Sequence, residues 1–139
     1  MGYIKEKGCT VFFYSQIGSN HVKNGIENQD SVLFERIDHD RWFLAIADGV
    51  SSAPRSKMGS QAAIDVVREI TMKLKDEKWN LEDIKVDIVR MWKRRFANDW
   101  NDYATTLNFL IFVNRELLVG QIGDGLMVID TDGKEEVYT

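Results

Sequence analysis

The order of local patterns predicts an α+β domain: layered antiparallel sheets with two long helices on one face. Three observations carry this. Short β-prone runs open and close the chain of 139 residues. Two long central segments repeat their apolar residues at steps of three and four, the period of an α-helix. Tight turns join the flanking runs as antiparallel hairpins, which leaves the helices to pack together against a sheet face.

The first strand is expected over Thr10 to Gln16, where Val11, Phe12, Phe13 and Tyr14 supply β-favouring side chains. Residues 17–29 are polar and rich in Gly and Asn, hence a loop. Ser31 to Ile37 alternates, with Val32, Phe34 and Ile37 assigned to one face. Asp38-His39-Asp40 turns it into Arg41 to Ala47. Trp42-Phe43-Leu44-Ala45-Ile46-Ala47 is an unbroken apolar run, which predicts a strand buried on both faces. Antiparallel pairing of these two strands sets Asp30 at the start of one and Asp48 at the end of the other. The two carboxylates are therefore expected side by side at one end of the sheet.

The first long helix is expected to begin between Ser52 and Ser60. Its stripe is Ala63, Val66, Val67, Ile70 and Leu74, and Asp76-Glu77-Lys78 ends it. Asn80 is a suitable N-cap for the second, with Glu82 and Asp83 in the first turn, where the helix dipole favours acids. Leu81, Ile84, Ile88, Met91 or Trp92, and Phe96 then mark one face of a helix reaching about Trp100. Trp79, Trp92 and Trp100 are assigned to the core. The basic run from Arg90 to Arg95 reads as a solvated face. Thr105 to Val113 is strongly β-prone, with Thr105 and Thr106 read as strand packing. Asn114-Arg115 turns it into Glu116 to Ile122. Gly123-Asp124-Gly125 is a tight turn into Leu126 to Ile129, and Asp132-Gly133 a hairpin turn into a last strand at Glu136 to Tyr138.

Composition narrows the class. A chain of this length suits one domain, spanning residues 1–139, and can bury about two-thirds of its unfolded surface. An apolar fraction of 44% is too high for a disordered chain. The formal net charge of −4 disfavours a nucleic-acid backbone as partner. Cys9 is the single cysteine, so no intrachain disulfide forms, in keeping with a cytoplasmic location. No apolar run has the length of a membrane span, and the N-terminus lacks the pattern of a secretory signal, so no membrane contact is expected.

Residue chemistry points to the end of the Arg41 to Ala47 strand. A carboxylate at the mouth of a buried strand needs a metal, a base or hydrogen bonds to compensate its charge. Asp48 stands there, followed by Gly49, which permits a sharp turn and the close approach of a ligand. An ordinary solvated turn accounts for the same residues. Ser51 and Ser52 read as turn and cap residues. Cys9 has no helix N-terminus or cluster of bases to lower its pKa. The segment after Gly49 lacks P-loop spacing.

The segments around this turn form an ordered set. Gly18-Ser19-Asn20-His21 and Asn28-Gln29-Asp30-Ser31 precede Ala47-Asp48-Gly49. Gly59-Ser60-Gln61-Ala62, Ala104-Thr105-Thr106-Leu107 and Val119-Gly120-Gln121-Ile122-Gly123-Asp124 follow it. In order and spacing the set resembles the metal-dependent Ser/Thr protein phosphatases of the PP2C (PPM) family, in their bacterial form, from about Gly18 to Asp124. The resemblance implies an α-β-β-α sandwich of two stacked antiparallel sheets. It also implies hydrolysis of phosphoprotein substrates with Mg²⁺ or Mn²⁺. Such chemistry uses two hard cations roughly 3.5–4 Å apart that activate water and neutralise the phosphoryl oxygens, held by oxygen ligands. By resemblance Asp48 bridges the two ions, Gly49 offers its carbonyl, Asp30 holds metal-bound water and Asp124 serves a further, weaker site. For Asp124 a simple turn residue is an equal reading. His21 and Lys23 are candidates to face phosphate, against the alternative of surface loop positions.

The departures from the family are specific. Its phosphate-binding arginine has no match, since Gly25 and Ile26 occupy that region and Lys23 is the nearest base. Gln29 stands where an acid is more common. Two later metal aspartates, in "S-D-G" and "D-N" segments, have no counterpart before Thr139. The expectation is therefore a PP2C-like phosphatase, or a PP2C-like domain lacking its C-terminal part and poorly active alone. The alternative is a non-catalytic, phosphatase-like module that binds a protein partner. An incomplete sheet would expose strand edges and apolar surface and favour self-association.

Overall fold

A computed structural model describes residues 2–6, 9–75 and 79–138. The chain opens with a hairpin of β1 (Gly2–Glu6), which was not expected, and β2 (Cys9–Phe13), the strand expected first, which ends before the exposed Tyr14. The segment expected as a loop contains a five-residue helix, α1 (Ser19–Lys23), closed by Gly25 at φ +66°. β3 (Ser31–Arg36) and β4 (Arg41–Ala47) form the expected hairpin. α2 (Ser56–Lys73) and α3 (Leu81–Arg94) follow, then a 3₁₀ turn over Trp100–Tyr103. β5 (Leu107–Val113), β6 (Glu116–Ile122), β7 (Met127–Thr131) and β8 (Lys134–Tyr138) complete the order.

The central sheet has four strands in the order β3-β4-β5-β6, every pair antiparallel. Its register separates two faces. Phe43 lies opposite Ile111, and Ala45 opposite Phe109. These join Ala47, Leu107 and Val113 against Val66, Val67 and Ile70 of α2 and Ile84 and Ile88 of α3 in one buried cluster. Both long helices thus cover the same face. Full burial of a side chain such as Phe43 or Ile111 is worth roughly 1.5–3 kcal/mol, and this layer holds the domain together. Gly120 lies opposite Phe109, whose ring fills the space a Cβ would need.

The opposite face carries Val32, Phe34, Trp42, Leu44, Ile46, Leu110, Phe112 and Leu117. Phe34, Trp42 and Phe112 stack in a row, with centroids 5.5 and 5.3 Å apart. Phe34 is buried, but Ile46 is 47% exposed and Leu117 44%. β4 is therefore buried on its helix side alone, with a half-open second face, and not on both faces as its unbroken apolar run suggested. Ile37 also departs from expectation. It packs with Leu33 against the helix-side cluster, away from Val32 and Phe34, because it lies beyond the end of β3 and follows Leu33 at an even step.

The helices begin as read. Asn80 Oδ1 accepts from Glu82 N at 2.8 Å, the capping bond expected of that residue type. The expected end of the first helix at 76–78 lies outside the described residues. α3 ends at Arg94, six residues short of Trp100, because Phe96 stacks on Tyr103 of the 3₁₀ turn, with ring centroids 3.9 Å apart. Trp100 is accordingly 39% exposed and outside the core, while Trp79 and Trp92 pack against it. The turn comes close to α2 at Gly59, where a Cβ would sit 1.7 Å from the Tyr103 carbonyl oxygen. Asn114 (φ 51°) and Arg115 (φ 65°) form the two-residue turn between β5 and β6.

Candidate functional site

The β3–β4 register pairs Ser31 with Ala47, so the next residue outward on each strand is Asp30 and Asp48. Both stand at the same end of the sheet, and both line one polar cavity of about 610 Å³ with Asn28, Gly49, Thr106 and Asp124. The structure thus brings together four residues singled out in the sequence: Asp30, Asp48, Gly49 and Asp124. Asp48 and Asp124 are exposed, Asp30 is half-buried and Gly49 is buried.

Each is held from a different direction. The Asp48 carbonyl oxygen accepts from the Thr106 amide at 2.9 Å and from Thr105 Oγ1 at 3.0 Å. Gly49 forms an isolated antiparallel bridge with Thr105, and the Val50 amide donates to the Ala104 carbonyl. A Cβ on Gly49 would lie 2.7 Å from the Gln29 carbonyl oxygen and 3.0 Å from Ser56 Cβ, so only glycine fits there. Asp124 rides on a turn whose Gly123, at φ +91°, packs over Thr106.

Asp30 is anchored by α2. Lys57 Nζ donates to the Asp30 carbonyl at 2.9 Å, and Ser60 Oγ donates to the Gln29 carbonyl at 2.6 Å. The Ser60 and Ser31 hydroxyls lie 2.9 Å apart. The Asp30 amide donates to Asn28 Oδ1 at 3.2 Å. Beside Gly49, Gln29 Oε1 and Ser56 Oγ are buried without a hydrogen-bond partner among the described residues.

Sequence reasoning missed Lys57, named Ser60 within its motif without a role, and read Thr105 and Thr106 as strand packing. A serine on the buried stripe of α2 was the available signal for Ser60, which is fully buried. The threonines gave no local signal, because their partner is 57 residues away in the chain. Lys23 ends α1, is exposed and does not line the cavity. His21 falls within α1, and its side chain lies outside the described residues. Among the described residues, no lysine or arginine lines the cavity. Among the described residues, no three of His, Cys, Asp or Glu are grouped closely enough to hold a metal ion.

The acidic cavity under a Thr-Thr clamp, at the end of a helix-backed sheet, coincides with a family match. The sequence profile of Protein phosphatase 2C covers residues 17–138. The chain belongs to that family. The PP2C fold is seen also in a solved structure, the phosphatase domain of the cell fate determinant SpoIIE from Bacillus subtilis, in a crystal form without domain swapping. It superposes with a TM-score of 0.54 at 16% identity, over 82% of this chain and 46% of that one. This PP2C chain therefore spans less than half of that domain's length, and at such identity the likeness concerns the fold. No curated protein sequence matches the chain. No helix among the described residues is long and apolar enough to cross a membrane.

Proposed function

We propose that this chain is the metal-binding unit of a PP2C-type Ser/Thr protein phosphatase, acting on phosphoproteins in the cytoplasm. The observation that carries the reading is the meeting of Asp30, Asp48, Gly49 and Asp124 on one polar cavity. Carboxylate and carbonyl oxygens are the donors that Mg²⁺ and Mn²⁺ prefer, and no Cys, His or Met among the described residues lines the cavity. A bound cation of this kind supplies a nucleophilic water and neutralises charge on a phosphoryl group.

The protein's own part is placement. Thr105 and Thr106 fix the Asp48 peptide where that residue lines the cavity. Lys57 and Ser60 fix the Asp30 segment from the helix side. Asp124 lines the same cavity and is assigned a further, weaker site, and His21 and Lys23 are kept as the candidates to face a substrate phosphate. With no group of three close ligands among the described residues, affinity for a cation is low.

Calorimetric titration of Mn²⁺ into wild type and Asp48→Asn tests this reading. Weak binding is expected in wild type and none in the variant; equal binding by both would falsify it. A second reading, a non-catalytic phosphatase-like module, is favoured by a cavity lining that has no lysine or arginine among the described residues. Turnover of a phosphopeptide separates the two. Little is expected from residues 1–139, because small misplacement of a reacting group loses about a hundredfold in rate. Robust turnover abolished in Asp48→Asn would establish the catalytic reading for this chain alone.

A further inference from the structure

We propose that the trough between α3 and the free edge of β6 is a docking site for an extended acidic peptide, which adds a strand to β6. This stands apart from the phosphatase reading, since the trough contains none of the residues of the acidic cavity's floor.

β6 is the last strand in the order β3-β4-β5-β6, so one of its edges pairs with no other strand among the described residues. The two-residue turn at Asn114 and Arg115 makes Val113 and Glu116 a hydrogen-bonded pair, and the ladder then alternates without a bulge to Leu107 and Ile122. Leu117, Val119 and Gln121 consequently direct their N–H and C=O groups outward. An open row of this kind is a template for another strand.

α3 stands beside that edge. The space between them is an open groove of about 920 Å³. Val86 (63% exposed), Val89, Phe96, Trp100 and Ile122 give it apolar surface. A second hollow of about 420 Å³ continues it along Val119 and Gly120 to Val137 and Tyr138 of β8. The two hollows therefore follow the C-terminal half of the strand, from Val119 to Ile122.

Charge selects the occupant. Lys85, Arg90, Lys93 and Arg94 line the groove, and among the described residues no carboxylate does. The whole chain carries −4, so this positive rim is local. Among the described residues, Lys85 and Arg90 pair with exposed neighbours on their own helix, Glu82 and Asp87, and Lys93 lies over the Trp100 ring. Such exposed contacts are weak and exchangeable. A second copy of the chain is a poor fit: pairing two β6 edges would bring two basic rims together, and β6 offers a single carboxylate, Glu116. A membrane surface is a poor fit to a concave trough. An extended segment with acids and alternating apolar residues satisfies the backbone edge, the apolar floor and the rim together.

The test is to pan phage-displayed random dodecapeptides on the full 139-residue protein and measure the selected peptides by fluorescence anisotropy. Enrichment of Asp/Glu-rich sequences with apolar residues is expected. Affinity should fall at least tenfold in the Lys93→Glu, Arg94→Glu double variant, and similarly in Val119→Pro, which removes one outward N–H and leaves the β5 ladder intact. Hydrogen exchange on wild type gives the same answer without a folded proline variant: bound peptide should slow the Leu117, Val119 and Gln121 amides. Enrichment indifferent to charge, unchanged exchange at those three amides, or sedimentation showing a dimer that buries the same amides would each overturn the proposal. So would binding of anionic phosphatidylserine vesicles, lost in the double variant, with no peptide enriched.

Discussion

The two faces of the central sheet are built from the same strands and share little else. On the helix side, Phe43, Ala45, Phe109 and Ile111 are buried under α2 and α3. On the other side, Trp42, Leu44, Ile46 and Phe112 form an aromatic and aliphatic surface that is only partly covered. Alternation along β4 assigns each side chain to one world or the other. Hydrophobicity in the sequence records what a face is suited to touch; it does not record whether anything touches it. The packed core of this chain lies on one face, with Phe34 the buried exception on the other.

Substitution tests that contrast most sharply where neighbouring residues point oppositely. Phe43→Ala should cost about 3–5 kcal/mol, the range for an aromatic removed from a packed core. Ile46→Thr, three residues along and on the other face, should stay within about 0.5 kcal/mol, as for surface exchanges. Urea denaturation of both variants measures the difference. Comparable losses would mean that the open face is covered in solution.

Ser60→Ala tests whether the covered face also serves the acidic end of the sheet. It leaves the Gln29 carbonyl without its hydroxyl donor inside a buried region, for a loss of about 1–3 kcal/mol. Faster amide exchange at Asp30 and Ser31 should accompany it, with the strands around Phe43 unchanged. Uniformly faster exchange across the sheet would show that Ser60 contributes general stability and no local anchoring.

The smallest effect lies at the far end of the hairpin. Arg41 pairs with Asp38 and caps the end of α2 by donating to the Thr71, Met72 and Leu74 carbonyls. The Arg41 guanidinium holds the Asp38 carboxyl below its usual 3.8, helped by the Asp40 amide. A carboxyl depressed on folding contributes stability above its unfolded pKa and loses it as pH falls through the folded one. Arg41→Met should therefore flatten the acid limb of the stability curve below pH 3.8 and change its shape little near neutrality. Thermal melts from neutral pH to pH 2 would show an unaltered acid limb if the pair is not coupled to folding.

What could be read from the chain follows the range of the interactions involved. Asn80 capping α3 and the Asn114-Arg115 turn were legible because their partners are a few residues away. The meeting of Asp30 and Asp48 was legible because a short hairpin fixes its own register. The end of α3 was not, because Phe96 leaves the helical pattern to stack on Tyr103, a tertiary contact with no local mark. Nor was the exposure of β4, since an unbroken apolar run fits one covered face or two. Lys57, Ser60, Thr105 and Thr106 act on peptide groups far along the chain. Their residue types suit a helix start, a core stripe or a strand equally well, so type alone did not reveal the role.

The Thr105–Thr106 grip on Asp48 also sets a clock. A peptide held by residues 57 and 58 positions downstream cannot be fixed until those residues exist. During synthesis the β3–β4 hairpin can pair early, and α2 can settle on it. The acidic corner nonetheless stays unfinished until Thr106 has left the ribosome and β5 has slid into place beside β4. A nascent chain stalled near Trp100 would carry Asp30 and Asp48 on a paired hairpin, with the Asp48 peptide still unanchored. The element that matters most to the proposed chemistry is thus among the last parts of the sheet to become rigid, whatever its place in the sequence.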